Sequence, residues 1–219
     1  MTEQTPIAVI GGTGAEGGGL ALRLAHAGRR VIIGGRDACR AAEAAEAINA
    51  TIGAERASGA SSTEAAAQAG VILLTVPYSA QRATALALAD QLQGKVLIDA
   101  TVPLMPPKVG RVQLPVGGSA VATLQEELGA GVKVVAAFQN VSAHHLRDLD
   151  HPVDCDVLVC ADDAEAAGIA VDLAQAMGLR AFHAGPVANS AAVEAMTSLL
   201  ISINRRYKSP GSGLRITGV

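Results

Sequence analysis

Residues 7–26 read IAVIGGTGAEGGGLALRLAH: an apolar run enters a glycine-dense turn and leaves it as a segment with helical apolar spacing. Gly12, Gly14 and Gly17 match G-x-G-x-x-G, and a strand before with a helix after separates a dinucleotide-binding turn from an ordinary glycine-rich loop. In such a turn Gly12 permits the tight exit from the strand, Gly14 lets the backbone approach a pyrophosphate, and Gly17 lets the helix lie close to the sheet. The free N–H groups at the start of the helix then face the phosphates. A chain that opens this way is committed to strand–helix–strand units.

The rest of the sequence keeps that alternation. RRVIIGGRD reads as a second strand, and CRAAEAAEAINATIG as a helix stopped by Gly53. Residues 55–58 suggest a short third strand, and 62–69 a helix capped by Ser61 or Ser62. VILLTVP is apolar throughout, as in a strand covered on both faces. A helix over 80–92 and the strand KVLIDAT follow. Residues 102–118 hold four prolines and three glycines, which predicts a long loop, and long loops inside compact domains are often functional. A helix over 118–128, the strands VKVVAAF and DVLVCAD, a helix over 164–177, a closing strand within 179–183 and one longer helix over 187–207 complete the chain before a glycine-rich tail. The expected class is α/β: a Rossmann-type, doubly wound, mostly parallel sheet with a small C-terminal helical segment. The expected division is a cofactor domain over 1–185 and a segment over 186–219 that closes the site or forms a dimer contact.

Composition excludes several functions. The net charge of -3 and the absence of a lysine and arginine stripe argue against nucleic acid, and two tyrosines with two phenylalanines make a poor base-stacking platform. Apolar runs such as 71–76 are far shorter than the ~20 residues that span a bilayer. MTEQTP shows no secretory pattern, so the cytoplasm is the expected location. Cys39, Cys155 and Cys160 are odd in number and lack C-x-x-C spacing, against a disulfide framework or a zinc site. His144 and His145 are adjacent and point apart on regular structure, so no metal site is expected.

The second strand decides which nucleotide fits. An NAD-type strand ends in an acid about 20 positions beyond the glycines, on the ribose hydroxyls. Here it ends Gly34, Gly35, Arg36. Arg36 can stack on adenine and face a 2′-phosphate, and Arg40 lies one helical turn further on. NADP is favoured. Asp37 competes: turned toward the ribose it would keep NAD in play, and Arg36 and Arg40 could instead pair with Asp37, Glu43 or Glu46 on a solvated face.

Ligands of open α/β sheets sit at the carboxyl ends of strands, here Thr75-Val76-Pro77-Tyr78, Asp99-Ala100-Thr101-Val102-Pro103 and Gln139-Asn140-Val141-Ser142-Ala143. Pro77 ends its strand without an N–H to satisfy, Tyr78 can cover a cofactor, and Arg82 can approach it from the next helix. GGTGAEGGGLALRLAHAG, VIIGGRD, LLTVPY and AGPVANSAAVEAMTSLLISIN, in this order over nearly the whole chain, resemble the NADPH-dependent reductases of the deazaflavin coenzyme F420. The resemblance implies direct hydride exchange between NADP and coenzyme F420, a small-molecule co-substrate. It also implies Thr13, Gly14, Ala15 and Glu16 on the pyrophosphate, Gly35, Arg36 and Arg40 on the 2′-phosphate, and Tyr78, Arg82, Leu104 and Ala143 on the rest of the pocket. Such a transfer depends on orientation, so no catalytic residue is assigned. Gln139 stands where the family often has histidine, and Ala15 where it often has a polar residue. Glu16 sets a negative charge beside the pyrophosphate, which an outward orientation along the helix would relieve.

Two alternatives stay open: a related NADP-dependent reductase acting on a flavin, ferric or small carbonyl or imine acceptor, and a protein that binds NADPH without turnover. For the carbonyl case Asp99, His144 and His145 are the first candidate proton donors. The helix 187–207 carries Val193, Met196, Leu200 and Ile203 at stripe spacing, which predicts either closure of the crevice or a homodimer.

Overall fold

The computed structural model describes residues 5–219; residues 1–4, which open the segment without a secretory pattern, lie outside the described residues. The first half alternates β1 (Ile7–Ile10), α1 (Ala15–His26), β2 (Val31–Gly35), α2 (Ala38–Ile52), β3 (Ala57–Ser61), α3 (Ser62–Gln68) and β4 (Val71–Leu74). Helices α4 (Tyr78–Ala87) and α5 (Ala89–Leu92) lead to β5 (Val96–Asp99), and the proline-rich loop separates β5 from α6 (Ala120–Leu128). Strand β6 (Lys133–Ala136), the short α7 (Ala143–Leu146), β7 (Val157–Ala161), α8 (Ala164–Ala176), β8 (Ala181–His183) and α9 (Ser190–Tyr207) follow.

The strands form one eight-stranded sheet in the order β3-β2-β1-β4-β5-β6-β7-β8. All neighbours are parallel except β6 and β7. Period-2 alternation deals the side chains to two cores. Ile7, Val9 and Ile33 face Leu20 and Leu24 of α1 and Leu173 of α8, while Ala8, Ile10 and Ile72 face α3, α6 and Val193 of α9. Both faces are covered, which explains why the strands read as apolar throughout. The strand order reverses between β1 and β4, and that switch point opens the crevice.

Local signals fix most helix ends. Asp37 caps α2 by accepting from the Cys39 and Arg40 N–H groups, and Gly53 ends it in the left-handed region at φ 67°. Ser61 and Glu64 form a reciprocal capping box at the start of α3.

Several expected boundaries move. The third strand lies at Ala57–Ser61 rather than 55–58, because Asn49 holds the preceding turn through Arg56, Ala57 and Glu55. Gly59 lets α2 press onto that strand; a Cβ there would lie 2.1 Å from the Ala42 nitrogen. The helix expected over 80–92 starts two residues earlier, behind Pro77, and breaks at Leu88 into α4 and α5. The helix expected from 118 begins at Ala120, where Ser119 caps it. The segment 187–207 opens with a 3-10 turn, Val187–Asn189, before α9.

Helix α9 is tied into the domain by a buried carboxylate. Glu194, 1% exposed, accepts from the Ser119 hydroxyl at 2.6 Å and from the Ala120 and Val121 N–H groups at 2.9 and 3.1 Å. It therefore caps α6 from a different helix. The expected apolar stripe on α9 is not continuous: Val193 and Leu200 are buried, Met196 half-buried and Ile203 exposed. The tail returns to β7, where buried Asp156 accepts from Arg215 and the Ile216 N–H. No described helix is long and apolar enough to cross a membrane.

Candidate functional site

A cleft of about 880 Å³ lies over the carboxyl ends of β1, β2, β4, β5 and β6. It runs from Gly35 and Arg36, past the glycine turn, to Thr101, Leu104 and Thr197. Its first wall is the turn between β1 and α1. The residue that reverses the chain there is Gly11, at φ 89°, not Gly12. Gly12 has no positive φ; its place is set by packing, since a Cβ would stand 3.0 Å from Ile33 and from the Val9 carbonyl. Gly17 does bring α1 against the sheet: a Cβ there would lie 2.3 Å from Thr75 Oγ1. Thr75 hydrogen-bonds the Ile10 carbonyl at the mouth of the adjacent strand.

Thr13, Gly14 and Ala15 line the cleft and are exposed. Gly12 and Gly17 are buried behind them. The arc fits a diphosphate, because its backbone is bare and Gly14, the N-cap of α1, has no side chain to occupy the helix N-terminus.

Glu16 also lines the cleft; it does not turn outward along the helix. The side chain is half-buried and makes no hydrogen bond among the described residues. Burial first, and then the nearby Asp99 carboxylate, push its carboxyl up to about 8. A carboxyl raised this far carries less negative charge near neutral pH than an ordinary glutamate, which eases the charge conflict with a diphosphate.

At the other end, Gly35 and Arg36 line the cleft. Asp37 Oδ1 is engaged in the α2 cap by the Cys39 and Arg40 N–H groups. Arg36 and Arg40 are exposed, and neither pairs with a carboxylate among the described residues. Arg40 stands outside the lining, one turn along α2. An unpaired arginine at this strand end fits a 2′-phosphate.

The floor is a buried polar network. Asp99, at the end of β5, is fully buried; it accepts from Gln81 Nε2 at 2.5 Å and from the Thr101 N–H at 2.8 Å. Burial raises its carboxyl above the ordinary range, and the hydrogen bonds from Thr101 and Gln81 oppose that shift. Gln139 Nε2 donates to the Asp99 carbonyl, Thr197 to the Gln139 carbonyl, and Asn140 Nδ2 to Thr197. Helix α9 thus supplies a hydroxyl at the far wall of the cleft.

Pro77, Tyr78 and Leu104 line the cleft. Arg82 does not; it pairs with Glu127 at 2.8 Å beside a neighbouring cavity of about 420 Å³. Ala143 begins α7 outside the lining, and His144 and His145 follow it there, also outside. Asp99 is sealed from the cleft surface. Thr75, Thr101 and Val141 line the cleft without having been singled out, although all three stand in the strand-end segments; Gln139, at the family's histidine position, lines it too. Ser62 and Thr197 line it too; nothing in their local sequence marks them, since the shifted β3 and the packing of α9 bring them there. No group of three or more histidine, cysteine or acidic side chains is placed to hold a metal among the described residues.

Comparison with known proteins bears on this cleft. Residues 6–103 match the family described as NADP oxidoreductase coenzyme F420-dependent. The chain is 42% identical to the F420-dependent NADP reductase of Methanothermobacter thermautotrophicus, over 97% of this chain and 95% of that protein. It is also 42% identical to the enzyme of the same name from Methanocaldococcus jannaschii, over 97% and 98%. A solved structure from Arthrobacter sp. FB24, assigned as an F420-dependent NADP reductase, superposes with a TM-score of 0.79 at 24% identity, covering 97% of this chain and 99% of that one.

Proposed function

The chain belongs to the coenzyme F420-dependent NADP oxidoreductase family, and from that premise we propose how its cleft serves hydride transfer between NADP(H) and coenzyme F420. The observation that carries the reading is one continuous cleft with a bare helix N-terminus in the middle, an unpaired Arg36 at one end and room over the β5 and β6 ends at the other. When bound, NADPH supplies a hydride that the deazaflavin ring accepts.

The protein's part is to orient two rings and exclude water, which lowers the barrier chiefly through entropy already lost on binding. Thr13, Gly14, Ala15 and Glu16 hold the diphosphate; Gly35, Arg36 and Arg40 hold the 2′-phosphate. Pro77, Tyr78 and Leu104 flank the nicotinamide half, and Thr197 with Gln139 limits the space for the second ring. Residues 1–185 act as the cofactor domain and 186–219 as the segment that closes the site. A homodimer is supported by the exposed face of α9, where Leu199, Ile203 and Tyr207 are 50%, 41% and 73% exposed. Free Cys39, Cys155 and Cys160 are consistent with a reducing, cytoplasmic setting.

The test is direct. Purified protein is mixed with NADPH and oxidised deazaflavin, and loss of the deazaflavin absorbance is followed. Turnover is expected; no change would refute the proposed co-substrate. NADPH consumed only with flavin or ferric acceptors would assign a different reductase, and binding without oxidation a non-enzymatic role.

A further inference from the structure

The run Gly17-Gly18-Gly19 exceeds what the fingerprint requires, since only Gly17 packs α1 against the sheet. Gly19 bares another face of the helix: a Cβ there would lie 2.6 Å from the Leu146 Cβ, whereas one on Gly18 would press on the Gly12 carbonyl at 3.1 Å and meet the Arg147 guanidinium only at an ordinary 3.5 Å contact. Helix α7 and the residues after it lie on that bare face.

One turn further along α1, buried Arg23 holds the segment down. Its guanidinium donates to the carbonyls of Leu146, His145, Asp148 and His151 at 3.0, 2.9, 2.5 and 3.1 Å. Four carbonyls on one side chain leave the backbone around residue 147 little freedom. Arg147 is thereby brought over the first turn of α1. Its guanidinium lies 3.3 Å from the Gly14 carbonyl and 3.4 Å from the Ala15 carbonyl.

Those contacts are long, and the Gly14 carbonyl already accepts the helical bond from Gly18 at 2.9 Å. Arg147 is exposed and pairs with no carboxylate among the described residues; neighbouring Asp148 is engaged by His151 at 2.9 Å. The Arg147 guanidinium, outside the cleft lining and held only by these two long contacts, therefore stands beside a turn whose own residues, 11–17, include no base. Arginine's planar fork suits phosphate oxygens better than crowded carbonyls.

We propose that Arg147 is the cation of the cofactor's diphosphate site, delivered to the glycine turn by the Gly19 and Arg23 contacts. This rests on the NADP reading of the cleft. Arg36 recognises the 2′-phosphate, which NADPH alone carries; Arg147 recognises the diphosphate, which NADPH and NADH share.

The test is titration of the full chain, wild type, Arg147→Ala and Arg147→Lys, with NADPH, NADH and adenosine 2′-monophosphate, which lacks a diphosphate. For Arg147→Ala, NADPH and NADH should weaken by the same factor, roughly tenfold for one charge-assisted contact. Adenosine 2′-monophosphate and the thermal midpoint should be unchanged, and Arg147→Lys should recover part of the loss. Undiminished NADPH binding overturns the proposal. So does a loss confined to NADPH, which would move Arg147 to the 2′-phosphate, or a parallel loss of adenosine 2′-monophosphate, which would mark a structural role. Failure of the wild type to bind NADPH would bring down the cofactor reading itself, and the proposal with it.

Discussion

Arg36 and Glu16 bracket the nucleotide end of the cleft, and each makes a distinct demand on the cofactor. Arg36 has no carboxylate partner to lose, so Arg36→Ala should leave the fold intact. It should weaken NADPH roughly ten- to a hundredfold, as for lost charge-assisted contacts, with little change for NADH; equal losses in a fluorescence titration would contradict the 2′-phosphate assignment. Glu16 predicts a pH dependence. Its carboxyl keeps its proton in the folded chain up to about 8 but loses it near the ordinary 4.5 once unfolded. The neutral form favoured by the fold costs nothing below pH 4.5, and stability falls as pH rises from there toward 8. Glu16→Gln should therefore match the wild type in thermal midpoint at pH 4.5 and exceed it increasingly up to pH 8. NADPH affinity should likewise decline above pH 8 in the wild type and less so in the variant.

At the scale of elements, the cleft depends on helices held by groups distant in sequence. Glu194 of α9 caps α6 through three hydrogen bonds. Removing it leaves the buried Ala120 and Val121 N–H groups without their acceptor. Glu194→Ala should cost about 2–4 kcal/mol in urea unfolding, with Glu194→Gln milder. Thr197 rides on the same helix, so the alanine variant should also raise the KM for the second substrate more than that for NADPH. The serine cap of α3, the glycine stop at Gly53 and the apolar periods were legible in the sequence because they act within a few residues. The position of β3 and the short α7 were not, because Asn49 and Gly59 set the first and Arg23 braces the second through contacts made only after the chain folds back.

For the whole molecule, the sheet order and the cleft at its switch point follow the alternation of strands and helices. The antiparallel β6–β7 pair is the departure: the segment 137–156, carrying α7, returns the chain to the sheet reversed and brings Arg147 back to α1. The outer face of α9 predicts assembly. Sedimentation should show a dimer, and Leu199→Glu with Ile203→Glu should yield a folded monomer with NADPH affinity within about twofold of wild type, since neither residue lines the cleft. A wild-type monomer would refute that interface.

The sequence by itself determined the fold class, the glycine turn after the first strand and the preference for NADP, because each rests on residues close along the chain whose chemistry is local: glycines without a Cβ, an arginine where a carboxylate is usual, apolar strands of the right length. Only the tertiary structure decided that Gly11 rather than Gly12 makes the reversal, that Glu16 lines the cleft with its carboxyl pushed up by burial, that Asp37 caps a helix, and that Thr197 reaches the cleft. Those outcomes depend on burial and on partners far away in sequence, and neither exists until the sheet has closed its two cores.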